Sequence, residues 1–436
     1  MSLPIVAIIG RPNVGKSTLF NRLIRRPHAI VDDMPGVTRD RLYSETSWNG
    51  VNFMLVDTGG LLVGAADPLA IKVTEQAKIA IEQADVIIFL LDTKTGLQDE
   101  DIRIARDLKR SGKKIVLAPN KVDEAKGEID ASEFYSLGIH EFYPISAANG
   151  RNTGDMLDAV VSDLPKSGDE SESNEIKVAI VGRPNVGKSS LTNIMSGKNV
   201  TIVAPLAGTT RDSIDTTVEH DGRKFTLIDT AGLKKKNIYK DNLEFYITLR
   251  TLRAISRSDI VVLLIDAVDG LVVGDLRIAS EAAELFKGLI FAVNKWDLYE
   301  KDINSADEIR KAIAEKAPLF SYVPILFISA MTGQRVHKIW DAIYQVAEER
   351  KKRIPTAELN EFIKSLVDSH PPPSKGGRFI KIFYVTQPEG DPPTFIFFSN
   401  NPKFIDTSYV RFLENRIREK YGYIGTPLKM VFKSRK

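Results

Sequence analysis

The sequence predicts an α/β chain made of two tandem copies of one mostly parallel-sheet domain, followed by a small α+β domain. Three observations predict it. The octapeptide Gly10-Arg11-Pro12-Asn13-Val14-Gly15-Lys16-Ser17 recurs letter for letter 172 positions on, as Gly182-Arg183-Pro184-Asn185-Val186-Gly187-Lys188-Ser189. After each copy, apolar runs of strand length alternate with helical patterns, the arrangement that builds a sheet covered on both faces. From Pro355 onward the order changes to α-β-β-α-β over about 80 residues, enough for a separate small domain.

Each octapeptide follows an apolar run (Ile5 to Ile9; Val178 to Val181) and precedes a helical pattern (Leu19, Phe20, Leu23; Leu191, Ile194, Met195). Strand, glycine-bounded turn and helix are the context of a phosphate-binding P-loop. A polyphosphate needs backbone N–H groups turned inward, and glycine lets the backbone close around it. The helix N-terminus adds favourable partial charge. Lys16 and Lys188 bring a mobile cation to the outer phosphates, and Ser17 and Ser189 bring a hydroxyl ligand for Mg²⁺. Gly10, Asn13, Val14, Gly15 and Thr18, with Gly182, Asn185, Val186, Gly187 and Ser190, complete the two predicted cradles. A chance glycine-rich turn is the competing reading, and an identical second copy in matching context makes it remote.

In the first unit, strands are expected at 5–9, 53–56, 86–91, 115–118 and 142–145, with helices over 68–83, 99–110 and 153–163. Residues 166–175 are polar, acidic and without large apolar side chains, which reads as a flexible linker. The second unit repeats the pattern with strands at 224–228, 260–265, 289–293 and 325–328. The expected domains are therefore 1–165, 176–353 and 354–436. In the last, Thr356 is placed to cap a helix carrying Leu359, Phe362, Ile363 and Leu366. Strands follow at 379–385 and 394–398, then a helix with Leu413 and Ile417, then a strand at 428–432.

Three further motif pairs carry chemistry. Asp57-Thr58-Gly59-Gly60 and Asp229-Thr230-Ala231-Gly232 each end a strand, with the aspartate 41 residues after the P-loop lysine. An aspartate there can hold Mg²⁺ through water, and the N–H of Gly60 or Gly232 can register the γ-phosphate. Thr38 and Thr210 each follow the P-loop serine by 21 residues in a Gly-Val-Thr or Gly-Thr-Thr stretch. A threonine in such a loop completes the Mg²⁺ shell only when the third phosphate is bound, which makes it a switch residue. Asn120-Lys121-Val122-Asp123 and Asn294-Lys295-Trp296-Asp297 follow apolar strands. Their carboxylates suit the two donors of guanine, which adenine lacks, and a buried charge left unpaired rejects the wrong base. The lysine stems can cover the ring, and Ser146-Ala147 and Ser329-Ala330 can offer backbone N–H to the guanine oxygen.

Composition bounds the rest. The 436 residues contain no cysteine, which excludes disulfides and thiolate metal sites. No apolar stretch approaches the roughly 20 residues of a membrane helix, and the N-terminus shows no signal core, so a cytoplasmic chain without a membrane span is expected. From Pro355 to Lys436 there are 13 Lys/Arg against 8 Asp/Glu, so the basic excess of a chain with net charge +3 lies in that last domain.

With these residues in place, the chain resembles the translation-factor-like P-loop GTPases. The two complete motif sets, acidic linker and α-β-β-α-β tail are similar to the bacterial ribosome-assembly GTPases with two Era-like domains, the Der or EngA family. The resemblance spans essentially the whole chain. It implies two GTPase domains and a KH-like domain, GTP/GDP binding and Mg²⁺-dependent hydrolysis at both sites, and action on the large ribosomal subunit or its precursor through rRNA. The chain is expected to work as a monomer. It departs from small signalling GTPases in one respect: Leu61 and Leu233 stand where a water-orienting glutamine follows Asp-x-x-Gly. Related GTPases with an apolar residue there often use K⁺ held by a P-loop asparagine, and Asn13 and Asn185 match that asparagine.

The repeats also differ. Leu62-Val63-Gly64-Ala65 follows the first Asp-x-x-Gly motif. Lys234-Lys235-Lys236 and a helix with Arg250, Arg253 and Arg257 follow the second. That cluster either contacts phosphates or is a solvated helical face. Gly422-Tyr423-Ile424-Gly425 has the spelling of a KH clamp, but it lies between the last helix and the last strand and is not assigned as one. Arg411, Arg416, Arg418 and Lys420 either contact rRNA or keep the domain in solution. The competing functional readings are a tRNA-modification-type GTPase, for which no modifying domain is visible, and an RNA-binding or ribosome-binding scaffold in which nucleotide is structural.

Overall fold

The computed structural model describes residues 4–24, 43–58, 80–124, 131–164, 175–197, 201–207, 214–228, 240–299, 305–374 and 379–434. Its elements are β1 (Ile5–Ile9), α1 (Lys16–Leu23), β2 (Tyr43–Trp48), β3 (Val51–Asp57), β4 (Val86–Asp92), α2 (Asp99–Arg110), β5 (Lys114–Asn120) and α3 (Thr153–Val161) in the first domain. The second has β6 (Ile176–Val181), α4 (Lys188–Met195), β7 (Thr201–Ala207), β8 (Ile214–His220), β9 (Arg223–Ile228), α5 (Lys240–Arg257), β10 (Ile260–Asp266), α6 (Val273–Glu284), β11 (Gly288–Asn294), α7 (Ser305–Lys316), β12 (Ile325–Phe327) and α8 (His337–Lys351). The third has α9 (Thr356–Ser369), β13 (Ile382–Thr386), β14 (Thr394–Ser399), α10 (Thr407–Tyr421) and β15 (Lys429–Ser434). Residues 166–174 of the expected linker, residues 68–79 of the helix expected over 68–83, and Thr38, Gly60, Leu61, Thr210, Asp229, Gly232, Leu233 and Lys234 to Lys236 lie outside the described residues.

The first sheet runs β2-β3-β1-β4-β5 and the second β12-β11-β10-β6-β9-β8-β7, each parallel except at its hairpin edge. The central strands read as unbroken apolar runs because both of their faces are covered. In β10, Val261, Leu263 and Ile265 pack with Ala279 and Ile313, while Ile260, Val262 and Leu264 pack with Leu191 and Ile343. Both P-loops therefore leave the carboxyl end of an interior strand, where α/β sheets present their ligands. The hairpin strands β2, β7 and β8 were not expected. β2 and β8 carry polar residues on an antiparallel edge, so no apolar run marks them, while Pro205 interrupts the apolar residues of β7.

One expected strand is corrected. Residues 142–145 run beside β5 with Tyr143 N donating to Leu117 O (2.9 Å) and Ile145 N to Pro119 O (2.7 Å), yet only an isolated bridge, Leu117 with Phe142, forms. The next ladder bond would need an N–H at Pro119, and proline has none. The second domain has Val293 at the matching place, and there β12 pairs with Phe291, Ala292 and Val293. In the third domain Pro355 occupies the cap position and Thr356 is the first helical residue. Its strand is shorter than expected at the start, beginning at Ile382.

The third domain has its own core, in which Leu359 and Ile363 of α9, and Leu413 and Ile417 of α10, cover one face of the sheet β13-β14-β15 at Val385, Phe395 and Phe397. It packs on the second domain through the Gly422–Gly425 loop. Gly425 accepts from Leu289 N (2.7 Å) and donates to Tyr322 O (2.7 Å), and Tyr423 N donates to Glu349 Oε2 (2.8 Å). Arg418 lies over the Tyr322 ring at 3.9 Å, donates to the carbonyls of Tyr423 and Thr426, and pairs with Glu414 at 2.8 Å. Arg350 of α8, nearly buried, donates to Phe286 O (2.8 Å) and pairs with Asp391. The Gly-x-x-Gly loop is thus a domain-docking element, and Arg418 belongs to that dock. Arg416, exposed, pairs with Glu419 at 2.6 Å, and Lys420 stands 4.5 Å from the Phe362 ring. Arg257 of the other basic cluster is bound to Asp215 in an ion pair.

Candidate functional site: two nucleotide cradles

The two P-loops have matching backbones. Asn13 and Asn185 both take φ 65°, a left-handed conformation that asparagine tolerates better than most residues, and Gly15 and Gly187 take φ 100° and 99°. A Cβ at Gly15 would lie 2.4 Å from Asn120 Nδ2, and one at Gly187 would lie 2.3 Å from Asn294 Nδ2. These glycines are required by close approach as well as by conformation. Helices α1 and α4 begin at the following lysine, so their free N–H groups face the cradle.

Each lysine bends back over its own loop. Lys16 Nζ donates to Gly10 O (2.8 Å) and Arg11 O (2.6 Å), and Lys188 Nζ to Gly182 O (2.8 Å) and Arg183 O (2.7 Å). Burial lowers the pKa of Lys16 and takes that of Lys188 down to about 8. A desolvated ammonium held by carbonyls alone is poised for an anionic partner. Ser17 Oγ donates to Asp57 Oδ2 at 2.7 Å, so a hydroxyl and a carboxylate of the kind Mg²⁺ prefers converge at the first cradle.

The Asn-Lys-x-Asp strand ends tie phosphate and base regions together. Asn120 Nδ2 donates to Val14 O (2.7 Å) while its Oδ1 accepts from Ala147 N (2.8 Å). Asn294 repeats both bonds with Val186 O (2.7 Å) and Ala330 N (2.8 Å). These asparagines join two loops 106 and 27 residues away in one case and 108 and 36 in the other, a link invisible in any local stretch. Lys121 and Lys295 take φ 71° and 63° and pair with Asp92 and Asp266, the latter at 2.7 Å. Asp123 accepts from Ser146 Oγ (2.8 Å) and from Lys94, and the Ser146 bond is the main cause of its lowered pKa. At the second site Asp297 Oδ1 is buried without a hydrogen-bond partner. Such an orphan acceptor suits the N–H donors of a guanine edge.

Two supporting residues escape sequence reasoning. Arg11 Nε donates to the fully buried Asp101 at 2.7 Å, and Asp101 also caps α2 by accepting from Gln98 N (3.1 Å). Arg183 and the fully buried Asp275 repeat this on α6, at 3.1 Å. Each P-loop is thereby pinned to the helix that follows β4 or β10. Arg22 donates to the carbonyls of Ala147 and Ala148, bracing the base-side loop of the first site. Ile194 holds the matching position in the second. Only the recurrence of Arg11 and Asp101 as Arg183 and Asp275, at separations of 90 and 92 residues, was a usable signal.

Two strand–loop–helix phosphate cradles, each linked through asparagine to a base-side loop, and a third domain of three helix-covered strands define a protein with two P-loop GTPase domains and a KH-like domain. The model for the "KH-domain-like of EngA bacterial GTPase enzymes, C-terminal" matches residues 353–433, and that for the "50S ribosome-binding GTPase" matches 5–121 and 177–295. Along its whole length the chain is 48% identical to GTPase Der of Chloroflexus aggregans and 49% identical to GTPase Der of Caldanaerobacter subterraneus, covering 99% of each. Among solved structures, Era of Aquifex aeolicus bound to GDP and AlF4⁻ is 22% identical over 60% of this chain and 93% of its own, with a TM-score of 0.32. The chain belongs to the Der/EngA family of GTP-binding switch proteins. Among the described residues, no helix is long and apolar enough to cross a membrane.

Proposed function

We propose that this chain is a cytoplasmic, monomeric GTPase whose two sites bind and hydrolyse GTP to drive assembly of the large ribosomal subunit. The observation that carries the reading is the paired Asn120 and Asn294 bridge, which couples a guanine-selective strand end to each phosphate cradle. In this reading the domains are 1–165, 176–353 and 354–436, joined first by a linker at 166–175. Lys16 and Lys188 hold the outer phosphates and stabilise charge on the transferred group. Ser17 with Thr38 and Asp57, and Ser189 with Thr210 and Asp229, would hold Mg²⁺, which would neutralise phosphate charge. The N–H of Gly60 and Gly232 reads the γ-phosphate. Asp123 and Asp297 select guanine, Lys121 and Lys295 flank it, and Ser146-Ala147 and Ser329-Ala330 close the base side.

Since Leu61 and Leu233 cannot orient water, Asn13 and Asn185 would hold K⁺, which would offset charge developing on the transferred group. Both asparagine side chains are exposed on a left-handed turn, open to such a ligand. Turnover is expected to rise severalfold on replacing Na⁺ by K⁺ at equal ionic strength; equal rates sink the potassium role. Lys16→Ala and Lys188→Ala, made separately, are each expected to abolish one site's share of turnover. Cosedimentation with large-subunit particles is expected with a non-hydrolysable GTP analogue and not with GDP; nucleotide-independent binding sinks the switch.

A further inference from the structure

We propose that the open face of the KH-like sheet is a stacking platform for single-stranded RNA, a site separate from the Gly-x-x-Gly loop, which is occupied in docking. The inference deepens the ribosomal reading above by placing the RNA on particular side chains. In β14, Phe395 and Phe397 point into the core and are fully buried, so Thr394, Ile396 and Phe398 face the other way. The register sets Tyr384 of β13 beside Phe398, and Lys433 of β15 on Phe398's other side. Tyr384 and Phe398 stack at 4.3 Å with their planes 13° apart. Because β13 is an edge strand, nothing in the sheet covers the outer side of the tyrosine, which is 38% exposed. Phe383, at the bulge beside it, is also 38% exposed, with Lys381 Nζ 5.9 Å from its ring.

Charge completes the case. The three strands contain Lys429 and Lys433 and no Asp or Glu, and the register places Lys429 across from Thr394 on the same face as Phe398 and Lys433. A cross-strand aromatic pair stabilises a sheet wherever it lies. Lys429 Nζ is engaged 5.4 Å from the Phe286 ring, which leaves the exposed Lys433 beside Phe398. An exposed pair, continued outward by an open ring and flanked by Lys433 in strands without acidic residues, fits an unpaired base on Tyr384 and a phosphate on Lys433. A duplex, whose bases are already stacked, offers no such face. An acidic protein surface would use Lys433 but not the rings.

The test uses the full chain and a labelled single-stranded oligoadenylate of ten nucleotides, read by fluorescence anisotropy. Tyr384→Leu with Phe398→Leu keeps the face apolar and removes its π surfaces. It is expected to weaken binding tenfold or more, from the usual worth of one or two stacked bases. Lys433→Ala is expected to reduce the salt slope by about one while leaving the stacking loss intact. Tyr384→Trp keeps the stack and supplies a reporter whose emission falls as RNA is added. Unchanged affinity in the double leucine variant, equal affinity for a duplex of the same length, or an unquenched tryptophan overturns the proposal. Cosedimentation separates it from the parent reading. If the wild type binds oligoadenylate through Tyr384 but not large-subunit particles, the ribosomal role fails and the platform stands. If particles bind equally well to the double leucine variant, the platform fails and the ribosomal role stands.

Discussion

Gly425→Ala should loosen the dock between the second GTPase domain and the KH-like domain, with a magnitude set by the local geometry. Gly425 sits at φ 65°, where an L side chain costs roughly 1–2 kcal/mol. A Cβ there would lie 2.4 Å from Val346 Cγ2, 2.9 Å from Leu289 O and 3.2 Å from Pro324 Cδ. The loop cannot retreat freely, because Gly425 holds one hydrogen bond to Leu289 and one to Tyr322, both at 2.7 Å. Overpacking of this kind costs about 1–3 kcal/mol, so the total is about 3 kcal/mol. Gly422 is the internal control. Its φ is 90°, but its Cβ would meet nothing nearer than 3.6 Å, so alanine there should carry only the backbone cost of about 1–2 kcal/mol. Hydrogen exchange at the amides of Leu289 and Gly425 reads the opening of the dock. Protection is expected to fall about a hundredfold in Gly425→Ala and about tenfold in Gly422→Ala. Equal losses in the two variants would refute the steric argument, and wild-type protection in Gly425→Ala would refute the dock itself.

Arg22→Ala should weaken guanine nucleotide binding severalfold at the first site alone, since Ile194 replaces the brace at the second; titration of a fluorescent GDP analogue in the Lys16→Ala and Lys188→Ala backgrounds assigns the effect to a site. Arg11→Ala leaves the buried Asp101 uncompensated and should cost about 3 kcal/mol of first-domain stability, with Asp101→Asn in the same background recovering part of it in denaturant melts. Lys188 has a folded pKa of about 8 against 10.5 unfolded, so the unfolded chain binds the extra proton between those values and nucleotide-free stability rises with pH across that window. A bound triphosphate restores the proton. Calorimetry at pH 8.5 in buffers of different ionisation enthalpy should therefore show proton uptake in the wild type and less of it in Lys188→Arg, where only Lys16 still gains a proton.

The motifs were legible because each is short and its physics local. A phosphate cradle is made within eight residues, and the apolar runs of β4 and β10 announce strands covered on both faces. The polar edge strands β2 and β8 lacked that signal, since their residues face water on one side. The strand expected at 142–145 failed on Pro119, a residue in a different element, whose missing N–H matters only once β5 has a neighbour.

Spacing along the chain suffices to locate the two candidate cradles, the strand ends proposed to select the base, and the class of all three domains. Tertiary structure alone decided what depends on residues far apart in the chain. It joined Asn120 to Val14 and Ala147, Arg11 to Asp101, and Arg22 to the base-side loop of one site only. It turned Gly422 to Gly425 from an apparent RNA clamp into a dock, and drew Arg418 from the basic surface onto Tyr322. The physical reason is the same throughout. A side chain's composition fixes what it can bond, and only the packed neighbour across the fold fixes what it does bond.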